Sequence, residues 1–386
     1  MIVGFSSIAF KRFDGETFEL MAEAVYRAVE MAGLGMKDID GIITNYIPGA
    51  YDGKPHLRYI PSQVGHYLGV KARYVDTVDI GGASVLSAIY RAYKAVRAGE
   101  AENVLCIFGG KSSKAREFRS SPLHYQRSIV QETPFDEYLV GIRNMSPISE
   151  YALIASVYKH VYGVTDEQRA LVAVKQRYNA LSNEKAIFRN PITIQDVLGS
   201  RIVSDPLHLL EIAMTIDSFY AFIVGKKISR SGLREIDILY YREYHRNNLL
   251  AENPDITYSA AVESAKDARQ FLNKVDAFQL YDAFTIMVMM LVEDIGLVDK
   301  GKSGKFFEST DTTYKGEIPI NTGGGSLNVG QTAYMSGPIL LEEALLQLNN
   351  MATGHQVKGA NMIFITALGG AHAQHAATMV LGERKW

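Results

Sequence analysis

GGASVLSAIYRAYKAVRAGEAENVLCIFGG, residues 81–110, is the stretch that decides the fold. Two glycines open it and permit a tight turn. A helix is expected from about Ser84, and Gly99 stops it, because a glycine just past the last turn accepts a left-handed backbone. The next run, NVLCIFGG (103–110), is apolar without alternation. That is the pattern of a strand in a parallel sheet covered on both faces. Turn, helix and buried strand make a βαβ unit.

Working outward, the same order appears on both sides. IVGFSSIAF (2–10) reads as a strand from its β-branched and aromatic content. Leu20, Ala24, Val25 and Ala28 stand at helical spacing within 17–32, although Thr17 with Leu20 is not a full capping box. DIDGIITN (38–45) and YVDTVD (74–79) supply two more strands, and IAMTIDSFYAFIVG (212–225) closes the first half. The second half repeats the plan. EIDILYYREY (235–244) is a strand, Ser259 to Leu272 a helix, VDAFQLYDAF (275–284) a strand and its exit. GGGS (323–326) stands where GGAS (81–84) stood, then a helix runs from Pro338 to Leu348, then the strand NMIFITALGG (361–370). Order and spacing carry this repeat. The fold class expected is α/β, with domains over 1–230 and 231–386. A polar insertion at about 112–200, with helices near 148–162 and 166–180 and carrying Tyr125, Tyr138, Tyr151, Tyr158 and Tyr162, interrupts the first half as a loop domain over the sheet ends. In sheets of this kind ligands bind beyond the carboxyl ends of the strands.

Composition bounds the function. The chain has 386 residues, 47% apolar and 21% charged, with a formal charge of −2. No basic field argues for nucleic acid. The one cysteine, Cys106, excludes internal disulfides and suits a reducing cytoplasm. It lies mid-strand, where an apolar setting keeps a thiol protonated and inert. The most apolar internal run, Phe284 to Val292, is about half the ~20 residues a bilayer requires, so no membrane span is expected. His372 and His375 in AHAQHA lack a cysteine or carboxylate pattern, so no metal is expected. GGKSSK (109–114) lacks Walker spacing and reads as a strand-end turn. Lys114, Arg116 and Arg119 read as a solvated face, with the phosphates of an anionic ligand as the other reading.

Two glycine turns near helix starts, at Gly82 and Gly324, would aim backbone N–H groups at one cleft; glycines that simply permit tight turns are the other reading. Such a cleft suits a thioester carbonyl that becomes an enolate. Tyr281 and Asp282 form a polar pair at the exit of an apolar strand; a tyrosine whose hydroxyl is merely satisfied by a backbone carbonyl explains them equally well.

Four ordered segments resemble the thiolase superfamily. The opening stretch resembles the thiolase run of nucleophile, helix, Ala-Gly stop and strand. INTGGGSLNVGQTAYMSGPILLEEALLQL (320–348) resembles its second glycine-rich signature, and SDPLHLLEIAMTIDSFYAFIV (204–224) the segment before the last N-terminal strand. FQLYDAFTIMVMMLVEDIGLV (278–298) resembles the His-Asp-Cys-Phe-Thr segment of the sterol-carrier-protein thiolases, or nonspecific lipid-transfer proteins. The resemblance implies a thiolase fold: two duplicated halves with mixed five-stranded sheets, packed in α-β-α-β-α layers.

The departures matter most. The resemblance places the nucleophilic cysteine on Gly82. The usual Gly-His-Pro becomes Gly330-Gln331-Thr332, the usual Cys-x-Gly becomes Ala367-Leu368-Gly369, and the histidine of the His-Asp-Cys-Phe-Thr segment becomes Tyr281. Acyl transfer through cysteine then has no nucleophile. The cysteine-less retro-aldolases of steroid side-chain degradation carry Tyr-Asp-x-Phe-Thr and Tyr-x-x-Gly; Tyr281–Thr285 and Tyr334–Gly337 match these. The resemblance therefore implies an aldolase-type lyase cleaving a 3-hydroxyacyl-CoA, with Tyr281 and Tyr334 as base and acid in unassigned order. Gly82, Asp282, Gly324 and Gln331 are expected at the substrate. Coenzyme A enters only as part of the substrate, with no other cofactor. A homodimer and a zinc-ribbon/OB-fold partner are implied. The other reading left open is a non-catalytic acyl-CoA- or lipid-binding or scaffold member.

Overall fold

The computed structural model describes residues 1–47, 60–113, 147–226, 232–246, 253, 255–332, 335–370 and 373–383. In chain order the first half holds β1 (Ile2–Phe10), α1 (Thr17–Met31), β2 (Gly41–Thr44), α2 (Ile60–Leu68), β3 (Tyr74–Thr77), α3 (Ser84–Ala98) and β4 (Asn103–Lys111). The inserted segment contributes α4 (Pro147–Tyr162), α5 (Asp166–Ala180) and α6 (Ile194–Gly199). Two short strands, β5 (Ile202–Ser204) and β6 (Leu207–His208), lead into β7 (Thr215–Gly225). The second half holds β8 (Ile236–His245), α7 (Ala261–Ser264), β9 (Ala277–Leu280), α8 (Thr285–Asp294), α9 (Ser303–Ser309), α10 (Gly325–Val329), β10 (Gln331–Thr332), α11 (Gly337–Leu348), β11 (Met362–Gly369) and β12 (His375–Glu383).

The first sheet runs β1-β7-β4-β2-β3, and the second runs β8-β12-β11-β9. Pairing repeats as well: β2 is parallel to β4, and β4 is antiparallel to β7. Correspondingly β9 is parallel to β11, and β11 is antiparallel to β12. The duplication expected from order and spacing is present in topology. α3 and α11 occupy the layer between the sheets: α3 touches β4, β7 and β12, and α11 touches β9, β11 and β1. α1 covers the outer face of the first sheet and α7 that of the second. The α-β-α-β-α layering follows.

Four expectations need correction. The second sheet has four strands among the described residues rather than five. The fifth position is taken by 319–321, which makes a single bridge between Ile320 and Phe278. Pro319 offers no N–H to extend the ladder, and Asn321 turns left-handed (φ 50°). The helix over 259–272 is broken: α7 is one turn, followed by a 3-10 stretch over Asp267–Phe271. Ala261, Ala265 and Ala268 are fully buried, so the segment keeps the apolar stripe with a tighter winding. Strand β12 was absent from the sequence reading. Finally, the start of α1 is firm: Glu19 accepts the Glu16 N–H at 2.9 Å and closes the first turn from one residue earlier than Thr17.

The insertion lies over the carboxyl-terminal edge of the second half. Asn179 Nδ2 donates to the Ile320 and Asn321 carbonyls, and Asn183 Nδ2 to that of Gly323. Arg169, fully buried on α5, donates to Glu211 at 2.7 Å and to the Pro206 carbonyl at 2.7 Å. Glu211 also accepts the Thr285 hydroxyl at 2.9 Å, so the insertion is tied to the first turn of α8.

Candidate active site

The site forms where α3, α11, the β9 exit and the turn after β11 meet. Ser84 shapes the turn before α3: its hydroxyl donates to the Gly81 carbonyl (2.6 Å) and accepts the Ile80 N–H (2.9 Å). Gly81 has φ 62° and packs on the backbone of Gly369 and Gly370. A Cβ on Gly369 would strike the Ile80 carbonyl, and one on Gly337 would strike the Gly82 carbonyl. The starts of α3 and α11 and the end of β11 therefore approach at backbone distance, which these glycines permit.

Gly82 stands at the centre of this convergence. A Cβ built there would lie inside the van der Waals shell of Tyr281 Cε2, of the Tyr281 hydroxyl and of the Leu368 carbonyl oxygen. The Tyr281 phenol occupies the space into which a side chain at 82 would project. Tyr281 is 4% exposed. Its oxygen accepts the Ser336 N–H at 3.3 Å, and the Gln331 side chain also approaches it. Burial raises its pKa above the ordinary 10, Asp282 reinforces that rise, and the Ser336 and Gln331 donors oppose it. The phenol is protonated at neutral pH.

Asp282 faces the other way. Its carboxylate accepts the Ser326 N–H (3.0 Å), the Ser326 hydroxyl (2.7 Å) and the Leu327 N–H (3.3 Å). It thus holds the N-terminus of α10, and Gly325 (φ 61°) leaves room for it. Burial lifts its pKa to about 6 against these donors. Asp282, expected at the substrate, here has its oxygens on the backbone of Ser326 and Leu327 and on the Ser326 hydroxyl. Gly324, also expected at the substrate, donates its N–H to the Asn321 carbonyl (2.8 Å), and a Cβ there would strike Ala180 of α5. The second glycine run heads the short α10, whose N-terminus Asp282 fills, while the partner of α3 in the duplicated plan begins at Gly337. Gln331 sits in β10, paired with the first residues of β7. Tyr334 lies outside the described residues.

Cys106 is fully buried in β4, its thiol directed to the Ala88 carbonyl, and burial pushes its pKa far up. No group of three or more His, Cys, Asp or Glu among the described residues is placed to hold a metal. His375 pairs with His245 at 3.2 Å, and burial lowers its pKa; His372 lies outside the described residues, as do Lys114, Arg116 and Arg119. Strand β4 runs through Lys111, whose Nζ donates to the Gly15 carbonyl at 2.6 Å, so GGKSSK begins as strand. No helix among the described residues is long and apolar enough to cross a membrane.

Sequence reasoning did not single out Tyr151. It reaches the site from α4, is 2% exposed, and stacks on Phe284 with ring centroids 4.9 Å apart. Its pattern signal was only one tyrosine among several in the insertion.

Comparison with known proteins gives a consistent picture. Residues 1–218 match the thiolase N-terminal domain, and residues 243–383 the thiolase C-terminal domain-like family. An acetyl-CoA acetyltransferase of Methanothermobacter thermautotrophicus is 26% identical, with 96% of each chain covered. A steroid side-chain-cleaving aldolase of Thermomonospora curvata is 27% identical over 89% of this chain and 88% of its own. Among solved structures, the Ltp2-ChsH2(DUF35) aldolase superposes with TM-score 0.80 at 24% identity, covering 99% of this chain and 97% of its own.

Proposed function

This chain belongs to the thiolase family, and from that premise we propose that it cleaves the C2–C3 bond of a 3-hydroxyacyl-CoA by retro-aldol chemistry, with no acyl-enzyme. One observation carries the reading: the phenol of Tyr281 fills the space beside Gly82 that a nucleophilic side chain would need. A base removes the proton of the 3-hydroxyl, and the C3 oxygen becomes a carbonyl. The C2–C3 electrons pass into the thioester enolate, which takes a proton at C2. A ketone or aldehyde and a shortened acyl-CoA leave. Tyr281, held protonated by burial, suits the acid. The phenolate it leaves behind faces the Ser336 N–H and Gln331. Tyr334 then serves as base, and proton exchange between the two phenols through solvent resets the site. The relationship to both an acetyltransferase and an aldolase supports a thioester substrate, and the aldolase relatives support the lyase direction.

Two partners accompany this reading. The named aldolase structure pairs its thiolase-fold chain with a DUF35 protein, and a zinc-ribbon/OB-fold partner of that kind is proposed here to help bind acyl-CoA. A homodimer through the first sheet is proposed on the edge strand β3, whose only ladder neighbour among the described residues is β2. A reducing cytoplasm suits a chain whose single thiol is buried in a strand.

The test is the Tyr281→Phe and Tyr334→Phe forms assayed against a panel of 3-hydroxyacyl-CoA substrates, with and without the partner. Loss of one proton-transfer group predicts a ~10²–10⁴-fold fall in kcat for each. Full turnover in both ends the tyrosine mechanism. Acyl-CoA binding with no turnover by the unmodified chain favours the non-catalytic reading instead.

A further inference from the structure

The hydroxyl of Tyr151 has no hydrogen-bond partner among the described residues although it is completely buried. The Ala373 backbone runs close by, without a hydrogen bond of regular geometry. A buried, unpaired hydroxyl is costly, and native structures retain one where a ligand or water completes it. The position of this one is informative. Its ring lies flat on Phe284, the fourth residue of the Tyr281–Thr285 segment, at an interplanar angle of 22°. Tyr281 is among the neighbours that raise the pKa of the Tyr151 phenol, which places the two side chains close together. Tyr151 comes from the insertion and Tyr281 from the second half, so the stack on Phe284 brings the insertion to the Tyr281–Thr285 segment.

We propose that Tyr151 is a third substrate-contacting residue of this site, its O–H donating to the thioester oxygen as that oxygen becomes an enolate. The proposal rests on the retro-aldol reading above. A neutral donor in dry, apolar surroundings is suited to the oxygen on which charge develops, because it needs no reorganisation when the charge appears. The 3-hydroxyl instead requires an acceptor for its proton. Tyr281 already has the task of delivering its proton to C2, so the thioester oxygen needs a separate donor. Burial, with Tyr281 and Glu150 adding to it, holds the Tyr151 phenol far above its usual pKa, hence as a donor.

The experiment is Tyr151→Phe in the full chain with its partner protein, which keeps the stacked ring and removes one oxygen. Three quantities are measured: melting temperature, cleavage of 3-hydroxyacyl-CoA, and calorimetric affinity for acetyl-CoA against free CoA. The melting temperature should hold or rise, since an unpaired polar group leaves the interior. Cleavage should fall ~10²–10³-fold, the usual effect of losing one oxyanion donor. Acetyl-CoA should bind about five- to tenfold more weakly, with CoA unchanged, as for the loss of one neutral hydrogen bond. If the unmodified chain cleaves nothing, the retro-aldol reading fails while the acetyl-CoA-to-CoA affinity ratio still decides Tyr151. Unchanged turnover in an active enzyme, an unchanged affinity ratio in an inactive one, or a lowered melting temperature would each overturn the assignment.

Discussion

Gly82 and Tyr281 are a single structural choice made at two positions. With a tyrosine at 281, position 82 has no room for a side chain; with a cysteine at 82, the ring would have to leave. Restoring Gly82→Cys is therefore expected to give no thiolase. It should instead overpack the site and cost at least ~1–3 kcal/mol, read from urea unfolding. Wild-type stability together with CoA-dependent thiolysis would refute this. Asp282 makes a separate prediction. Its pKa in the folded chain, about 6, lies above its ordinary 3.8, so the folded state binds that proton more tightly than the unfolded state. The stabilisation is fully present below about pH 4 and is lost as pH rises through about 6, on the order of 2–3 kcal/mol. Unfolding free energies measured from pH 4 to 7 should fall more steeply in the wild type than in Asp282→Asn; parallel curves would contradict it. Neither pairing was open to sequence reading. Tyr281 could be flagged from its segment, but the overlap at Gly82 and the carboxylate on α10 depend on contacts across the two halves.

The link from Arg169 through Glu211 to Thr285 explains how an insertion so distant in sequence helps set the strand exit over Tyr281–Thr285. Arg169 is 1% exposed and Glu211 0%. Breaking a buried pair leaves one charge uncompensated, so Arg169→Ala should lose ~3–5 kcal/mol in urea unfolding and loosen the first turn of α8. A loss under ~1 kcal/mol, the range of an exposed pair, would mean the link is not holding these elements together. Elements with strong local signals were legible: α3 between its glycine turn and Gly99, the continuous apolar β4, and the helices α4 and α5. Those settled by tertiary context were not. The stripe of Ala261, Ala265 and Ala268 has helical spacing, yet packing against β8 and β12 leaves one α-turn and a 3-10 stretch. β12 follows a segment dominated by alanine and histidine, which hides its strand character, and the fifth strand of the second sheet fails because Pro319 and the left-handed Asn321 interrupt the ladder.

Across the molecule, the duplicated sheets place the starts of α3 and α11 against each other at the centre, and the insertion closes over one side. The repeat was visible in the order of segments. The equivalence of GGAS with GGGS was misleading, because glycine runs mark tight turns whether or not a long helix follows. The edge strand β3 carries Val75 at 53% exposure, an apolar β-branched residue on a strand paired on one side only among the described residues. If β3 is the seam of a homodimer, Val75→Asp sets like charges against each other at a two-fold contact. Sedimentation should then show a dimer for the wild type and monomer for the variant; a monomeric wild type removes the seam. The central claim is that the phenol beside Gly82 supports bond cleavage without a covalent intermediate, and such cleavage consumes no free CoA, whereas thiolysis must. The decisive measurement is product formation from a 3-hydroxyacyl-CoA in the complete absence of added CoA, by the wild type and by Tyr281→Phe. The account predicts equal amounts of carbonyl product and shortened acyl-CoA from the wild type, and a ~10²-fold or greater loss in the variant. Cleavage that requires added CoA, or that survives intact in Tyr281→Phe, would contradict it.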